Sequence, residues 1–486
     1  MTYDLLIIGG GINGAAIARE AALNGLSMLL VDKGDLAGAT SSASTGLIHG
    51  GLRYLEYYEF KLVAEALRER ERLVHAAPHL IRPMLFVLPY EHTQRPWWML
   101  RLGLYLYDFL GGRMSLPRSR GLRAGDAAFT APLKGGGRGF VYSDAQVDDA
   151  RLTLLNAIDA AANGAVIQTR TELLSARRTD DGWTATLGTG EQVSARALVN
   201  AAGPWVHEML AKLGVNAAAN VRLIKGSHIV VPKLYDGDHA YILQQPDGRI
   251  VFAIPWQRDF TEIGTTDIPV DAPEDAVIDA DEIAYLCEAV NRHFNRQIAP
   301  SDVVSTWSGV RPLYDDGASE AKAVTRDYVL ELDTNGPALL SVFGGKITTA
   351  RHLAEEALAR LAKPLGITPR RVTRDRPFPG GAIGDFATFP ADAQRRWPFL
   401  SADQSLRMAR AYGSMLDEML GSVTSADAMG RAFGGGLTEI EARWMHDREW
   451  ARMPDDALWR RSKTGLHMTD AERTAFADWW RASFPA

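Results

Sequence analysis

The sequence predicts an α/β protein in three parts: a dinucleotide-binding domain on a parallel sheet, an inserted antiparallel-sheet domain, and a helical C-terminal domain. Three observations predict this fold. A glycine-rich turn separates two apolar strands near the N-terminus, strand-like segments alternate with turns across residues 216–304, and apolar residues recur at helical spacing after residue 386. A chain of 486 residues suits about three domains of roughly 150 residues each.

Composition and charge exclude several classes of protein. The net charge is 53 − 59 = −6, which argues against a general nucleic-acid-binding protein. The single cysteine, Cys287, allows no intramolecular disulfide, no cysteine-rich zinc site and no iron–sulfur cluster, and it favours a reducing compartment. The N-terminus lacks the basic region of a signal peptide, and we find no run of about 18 apolar residues that would span a bilayer.

The first 32 residues are a predicted β-α-β unit. Tyr3–Ile8 is an apolar strand, Ala15–Leu23 has small and apolar residues at helical spacing, and Leu26–Val31 is a second buried strand. The turn Gly9–Gly14 between the first strand and the helix fits the pattern G-x-G-x-x-G, and Asp32 ends the second strand. In this context the pattern is typical of a Rossmann-like dinucleotide-binding domain.

Each residue of that motif has a separate physical task. Gly9 permits the tight turn, Gly11 lets a pyrophosphate approach the backbone, and Gly14 lets the helix pack closely on the strand. The helix N-terminus then faces the phosphates, and Asp32 is placed to accept a hydrogen bond from a ribose hydroxyl. The motif alone does not distinguish NAD from FAD.

Two later segments favour FAD. Arg196–Trp205 is a strand that ends in small residues, where the backbone must approach another group closely. Leu339–Thr349 is a strand followed by glycines and the start of a helix. A second helix N-terminus suits a flavin ring, because it stabilises the negative charge that develops on the reduced pyrimidine edge.

The chain resembles the FAD-dependent, respiratory glycerol-3-phosphate dehydrogenases over almost its whole length. The segments that carry the resemblance are 9–14, 39–56, 142–144, 147–152, 222–232, 264–267, 307–313, 343–346 and the tail segments 449–451 and 456–463. The segment His49–Arg53 and the pair Arg311 and Lys346 are specific to this group among flavoprotein oxidoreductases. Asp32 is a mild departure, because the family often has glutamate there.

The resemblance implies oxidation of sn-glycerol 3-phosphate to dihydroxyacetone phosphate by hydride transfer to FAD, with ubiquinone or menaquinone as the electron acceptor. It also implies attachment to the inner face of the cytoplasmic membrane. An oxidase of the same family, which would release hydrogen peroxide, is the alternative, although we find no inserted segment of the kind those oxidases tend to have. A non-catalytic flavin-binding protein is a third hypothesis, and a homodimer is left open.

The motifs and the resemblance together predict the residues that hold FAD. They are Gly9, Gly11, Gly14, Asp32, Thr40, Ser41, Ser42, Gly46, Leu47, His49, Ala202, Gly203, Gly345, Lys346 and Thr348.

Three cations are the predicted phosphate ligands. A phosphate in a partly dry pocket needs cations, and arginine binds it through two parallel hydrogen bonds. Arg53, Arg311 and Lys346 each lie in a glycine-rich or strand-end segment and not on an amphipathic helix face. Tyr54 follows Arg53 and is expected to line the same pocket. The resemblance adds Thr266 to the substrate-binding set.

Two histidines compete for the role of catalytic base. Removal of the hydroxyl proton needs a group whose pKa lies near the working pH, which is usual for histidine. His49 lies four residues before Arg53 in the glycine-rich segment, and His228 lies within a Val/Ile-rich strand. We therefore expect the catalytic set to be His49, Arg53, Arg311 and Lys346, with His228 near the substrate. The remaining histidines form no metal-binding pattern, so we expect no metal site.

The domains are expected to be discontinuous. The predicted FAD-binding domain comprises residues 1–75, 140–215 and 305–385, and the substrate (cap) domain comprises 76–139 and 216–304. Residues 386–486 form the predicted helical domain. Insertion of one domain into another places the ligand at their boundary, where pockets are common.

Two segments are the candidates for contact with a membrane surface. Trp97–Leu110 is apolar and aromatic, although Arg101 and Asp108 interrupt it. The tail combines the basic residues of 459–463 with Trp479 and Trp480, and basic residues are attracted to anionic lipid. The competing interpretation is that both segments pack on the body of the protein.

Overall fold

The computed structural model describes residues 2–90, 96–135, 137–216, 219–315 and 328–485. Within them the strands are β1 (Thr2–Ile8), β2 (Met28–Val31), β3 (Leu47–Ile48), β4 (Arg82–Pro89), β5 (Arg120–Gly121), β6 (Gly139–Gln146), β7 (Val166–Gln168), β8 (Leu173–Thr179), β9 (Gly182–Leu187), β10 (Gln192–Asn200), β11 (Val221–Pro232), β12 (Ala240–Gln244), β13 (Ile250–Trp256), β14 (Phe260–Gly264), β15 (Ile268–Pro269), β16 (Ser305–Tyr314), β17 (Val329–Asp333), β18 (Leu339–Phe343), β19 (Ala432–Gly434) and β20 (Leu437–Thr438). The α-helices are α1 (Ile12–Leu23), α2 (Phe60–Ala76), α3 (Trp97–Leu110), α4 (Ala127–Thr130), α5 (Asp149–Ala162), α6 (Val206–Lys212), α7 (Ala280–His293), α8 (Ala350–Leu365), α9 (Phe389–Arg396), α10 (Ala402–Tyr412), α11 (Leu416–Leu420), α12 (Glu439–Glu449) and α13 (Asp470–Ser483).

The first sheet confirms the predicted Rossmann-like unit. Its strand order is β17-β18-β10-β1-β2-β7, and every pair is parallel except β17 with β18. The hairpin β8–β9 joins the sheet through β10. Helix α1 packs against α5 and α8 over one face, where its alanines Ala15, Ala18 and Ala21 are fully buried and permit close approach.

The second sheet has the strand order β15-β11-β14-β13-β12-β4-β6-β3, with β16 paired to β11 and β5 to β6. It is antiparallel, as predicted, except where β12 runs parallel to β4. These two strands come from separate chain segments and not from a hairpin, so no turn dictates their relative direction. Helix α7 packs over one face of this sheet, and α2 and α3 lie on the other.

The sheets do not follow the predicted domain boundaries throughout. Strands β6 and β16 lie in segments that the sequence analysis assigns to the FAD-binding domain, yet both hydrogen-bond within the second sheet. In the sequence, each of these two strands lies between a segment of the first sheet and a segment of the second. Its sequence pattern predicts a strand but does not specify the partner.

The C-terminal domain is helical, as predicted, and its buried residues form a hydrophobic core of their own. It contacts the first domain through charged groups: Arg151 and Glu449 are 3.0 Å apart, and the Lys463 amino group lies 2.6 Å from the Asp148 carboxylate.

The tail does not present the basic membrane surface that the sequence suggests. Arg461, Lys463 and Trp480 are 2%, 7% and 1% exposed, and Arg460 is paired with the buried carboxylate of Asp35. These cations are paired with carboxylates of the protein itself. Among the described residues no helix is both long enough and apolar enough to cross a bilayer.

Candidate active site

Two cavities meet between the sheets. The larger, of about 720 Å³, lies beside the second sheet, and the smaller, of about 300 Å³, lies at the carboxyl ends of β1, β2 and β10. The residues that line both are Ile12, Thr40, Ser41, Pro312, Gly344 and Gly345. Because their walls share these residues, the cavities form one continuous trough across the domain boundary.

The glycine-rich turn forms one end of the trough. Gly9 has a φ of +107°, and a Cβ there would lie 2.4 Å from the Ala201 carbonyl oxygen. A Cβ on Gly14 would lie 1.9 Å from the carbonyl oxygen of Gly9, so close packing of helix on strand requires glycine at both positions. Gly11 lines the smaller cavity, and the amide of Ile12 donates to Ser41 Oγ at 2.9 Å. The α1 N-terminus therefore faces the trough.

The smaller cavity fits the adenosine and pyrophosphate part of a dinucleotide. Asp32 lines it and accepts hydrogen bonds from the amides of Gly10 at 2.6 Å and Gly34 at 2.7 Å. Burial raises the pKa of Asp32, and these two donors oppose the rise. Asn13 Oδ1, in the same wall, is buried and accepts no hydrogen bond from the described protein atoms. A ligand with its own donors would satisfy it.

A second helix N-terminus lies beside the larger cavity, as expected for a site that binds a flavin ring. Strand β18 ends at Phe343, the glycines Gly344 and Gly345 follow, and a 3₁₀ turn at Ile347–Thr349 leads into α8. Gly345, Lys346 and Thr348 line the larger cavity, and the amide of His49 lies 3.3 Å from Thr348 Oγ1. The residues present thus fit a dinucleotide that carries a second ring system.

Arg311 lies on β16 with its guanidinium in the wall of the larger cavity. The Nη1 atom lies 2.8 Å from Asp267 Oδ1, and Nη2 donates to the Thr266 carbonyl oxygen at 2.8 Å. Gly226 on the neighbouring strand makes room for it, because a Cβ there would lie 2.2 Å from Nη2. The arginine is therefore held in place before an anion arrives.

Lys346 and Arg53 line the same cavity from two other segments. The Lys346 amino group lies 4.1 Å from the centre of the Tyr54 ring, a cation–π contact. Arg53 and Tyr54 belong to a short 3₁₀ helix, Leu52–Tyr57. Three segments that are distant in sequence thus bring three cations to one cavity.

His228 lies deeper in the wall. It is 2% exposed, its ring stacks on Trp307, and its Nε2 lies 3.0 Å from Thr45 Oγ1 and 3.7 Å from Glu262 Oε1. Gly264 is necessary beside it, because a Cβ there would lie 1.9 Å from the ring. Burial, and then the charge of Arg311, lower the His228 pKa to about 3. The ring is therefore neutral near pH 7.

The trough brings most of the predicted site residues together. Those in its walls are Gly9, Gly11, Asp32, Thr40, Ser41, Leu47, His49, Arg53, Tyr54, Ala202, Gly203, His228, Arg311, Gly345, Lys346 and Thr348.

Four predicted residues lie outside those walls. Gly14 serves helix packing, and the Ser42 hydroxyl donates within its own turn, to Ala39. Gly46 has a φ of +59°, and a Cβ there would lie 2.7 Å from the Val147 carbonyl oxygen. The Thr266 hydroxyl is buried and donates to Glu282 Oε1 at 2.7 Å, so it points away from the cavity.

The residues of the trough that sequence reasoning missed include Thr45, Thr265, Asp267 and Arg460. Thr265 and Asp267 flank Thr266 in the segment between β14 and β15, and they line the cavity while the Thr266 hydroxyl is bonded to Glu282. The sequence therefore identified the segment 264–267 but not which of its residues line the cavity. No sequence signal indicates that Asp267 pairs with Arg311 or that Arg460 reaches the dinucleotide cavity.

Comparison with known proteins agrees with this geometry. Residues 4–351 match the model of the family described as "FAD dependent oxidoreductase". The chain is 49% identical to the aerobic glycerol-3-phosphate dehydrogenase of Escherichia coli, covering 98% of this chain and 97% of that protein. It is also 49% identical to the D-erythritol 1-phosphate dehydrogenase of Brucella abortus, with 99% and 98% covered.

A solved structure shares the complete fold. The glycerol-3-phosphate dehydrogenase of Bacillus halodurans, determined with FAD, aligns with a TM-score of 0.76 at 26% identity, covering 99% of this chain and 94% of that one. The chain therefore belongs to the FAD-dependent glycerol-3-phosphate dehydrogenase family, and it is an oxidoreductase with FAD as its cofactor.

Proposed function

We propose that the protein oxidises sn-glycerol 3-phosphate to dihydroxyacetone phosphate and that the electrons pass to a membrane quinone. The observation that supports this most strongly is the convergence of Arg53, Arg311 and Lys346 on one cavity that is continuous with the dinucleotide trough. The relatives from Escherichia coli and Pseudomonas aeruginosa, 49% and 48% identical, are named as glycerol-3-phosphate dehydrogenases.

The proposed chemistry divides into three tasks. Bound FAD supplies the acceptor for the hydride that leaves carbon 2 of the substrate. Arg311 and Arg53 hold the phosphate dianion, which fixes the carbon chain relative to the trough. Lys346 stabilises the negative charge that grows on the substrate oxygen as its proton leaves.

We assign the proton acceptor to His49. It is half-buried in the cavity wall, beside the N-terminal turn of α8. His228 is the weaker candidate, because its burial and Arg311 oppose the positive charge that it would gain. We propose instead that neutral His228 helps to shape the substrate pocket.

Anaerobic titration tests the reaction. Addition of sn-glycerol 3-phosphate to the holoenzyme without oxygen should bleach the flavin absorbance near stoichiometry. Subsequent addition of a ubiquinone or menaquinone analogue should restore it faster than air-saturated buffer. Failure to bleach would contradict the dehydrogenase function, and rapid reoxidation by oxygen with release of peroxide would favour the oxidase.

D-Erythritol 1-phosphate is the second candidate substrate. One relative, 49% identical over nearly the whole chain, is named for its dehydrogenase. Both substrates offer a phosphate dianion and a secondary alcohol, so the same cations and base serve either. Steady-state kinetics with the two phosphates decide between them, because the true substrate should have the larger kcat/KM.

We further propose peripheral attachment to the cytoplasmic face of the membrane through helix α3. Trp98, Leu102 and Tyr105 on this helix are 67%, 50% and 52% exposed, and Tyr58 nearby in the same cavity wall is 80% exposed. Met99 and Leu102 also line the larger cavity. A quinone that leaves the bilayer beside α3 would therefore meet an apolar entrance to the flavin.

A double substitution, Trp98→Glu and Tyr105→Glu, is expected to abolish co-sedimentation with anionic vesicles, because the charged side chains would have to enter the interface. Quinone reductase activity with vesicles should fall, while flavin bleaching by substrate should not. Leu174→Glu, at a position 50% exposed on β8, is the matched control. Equal vesicle binding by all three proteins would contradict attachment through α3.

A further inference from the structure

Arg460 lies in the wall of the smaller cavity, although it belongs to the C-terminal domain. It is on a single π-helical turn, Asp456–Arg461, and its hydrogen-bond partner Asp35 is 425 residues away in the sequence. Turns of this kind occur frequently at functional sites. The region matched by the FAD-dependent oxidoreductase family ends at residue 351, so Arg460 lies outside that region.

The position of the Arg460 guanidinium is fixed by two buried carboxylates. Its Nε donates to Asp35 Oδ2 at 2.6 Å, and its Nη2 donates to Asp456. Asp35 is 4% exposed and Asp456 is fully buried. These contacts hold the side chain against the cavity without help from a ligand.

The cluster around Arg460 has an excess of positive charge. Arg461 donates to Asp35 at 2.8 Å, and Arg170 donates to Asp456 at 2.8 Å. Three guanidinium groups therefore share these two carboxylates, and Arg170 and Arg460 both face the cavity, whose wall also contains the carboxylates of Asp32, Glu172 and Glu208. A guanidinium group in a partly buried site attracts an anion more strongly than it would in water.

The ligand at this end of the trough is defined by its other wall. Asp32 and the α1 N-terminus lie in the same cavity, and in such folds they face the ribose and the pyrophosphate. We infer that Arg460 is part of the binding site for the adenosine diphosphate half of FAD, so that the C-terminal domain retains the cofactor.

The test is the affinity of the protein for FAD. Arg460→Ala should raise the Kd for FAD at least tenfold, measured by flavin fluorescence on reconstitution, and should speed FAD release from the holoenzyme. ADP, as a competitor of FAD, should lose affinity by a similar factor. Arg460→Gln, which keeps a hydrogen-bonding side chain but removes the charge, should behave in the same way.

Two further variants separate cofactor binding from domain packing. Arg448→Ala removes an exposed ion pair with Glu418 in the same domain and should leave the Kd unchanged. Arg461→Ala removes a contact to the same Asp35 but lies outside the cavity walls, so it reports on packing alone. The inference fails if Arg460→Ala and Arg460→Gln keep a Kd within twofold of the parent protein, or if Arg461→Ala raises the Kd as much as they do.

Discussion

Arg311→Ala should lower kcat/KM for sn-glycerol 3-phosphate between about thirtyfold and about four-thousandfold, because truncating one partner of a buried charged contact costs about 2–5 kcal/mol. The guanidinium is held by Asp267 at 2.8 Å and by the Thr266 carbonyl oxygen at 2.8 Å. Its loss also leaves Asp267 in the cavity without its cation, which adds repulsion for the phosphate. Steady-state kinetics measure the loss of kcat/KM, and the flavin content of the purified variant shows whether FAD binding is retained.

The flavin content of Arg311→Ala should remain that of the parent protein, because Arg311 does not line the smaller cavity. Arg222→Ala is the matched control. It lies on the neighbouring strand β11, where its side chain pairs with Asp315 at 2.8 Å and does not line the larger cavity. The phosphate assignment would be wrong if both alanine variants had the same kcat/KM.

Gly11→Val should yield protein with flavin occupancy below about a tenth, because the branched side chain projects where the pyrophosphate approaches the backbone. The φ of Gly11 is −76°, so valine meets no backbone strain there. A Cβ would lie 3.2 Å from Ser41 Oγ, a contact that a small shift relieves. We therefore expect Gly11→Val to lose FAD binding while its fold is retained.

Absorbance of the purified variant measures the occupancy, and far-ultraviolet circular dichroism checks that the protein is folded. Gly125→Val is the control, because a Cβ at that position has open space around it. Full flavin occupancy in Gly11→Val would refute the placement of the pyrophosphate at this turn.

The parts of the fold that were predictable are those with local causes. The β-α-β unit follows from apolar periodicity and a glycine spacing, and both are visible within 32 residues. The sheet to which β6 belongs was not predictable in this way. All eight of its residues are buried, so its sequence has no exposed face to show which sheet it joins.

The candidate site also combines features that were predictable from local sequence with features that were not. Arg53, Arg311 and Lys346 were identified from glycine-rich and strand-end contexts, and the structure places all three in one cavity. The sequence left the basic tail between membrane contact and packing on the protein, because its counter-charges, Asp35 and Asp148, are more than 300 residues away. A basic residue whose acidic partner is distant in sequence looks like a surface residue. Only the folded chain shows which cations are already neutralised.

The order of strands in the first sheet also determines when, during synthesis of the chain, that sheet can be completed. β1 has β2 on one side and β10 on the other, and β10 is completed by β18, which ends at Phe343. A ribosome needs on the order of tens of seconds to deliver the chain between β1 and β18. β1 lacks one neighbour until β10 (Gln192–Asn200) has been made, and β10 then lacks its own neighbour until β18 has been made. Because Gly344 and Gly345, which directly follow β18, line both cavities, we expect the complete cofactor site to form only late in biosynthesis.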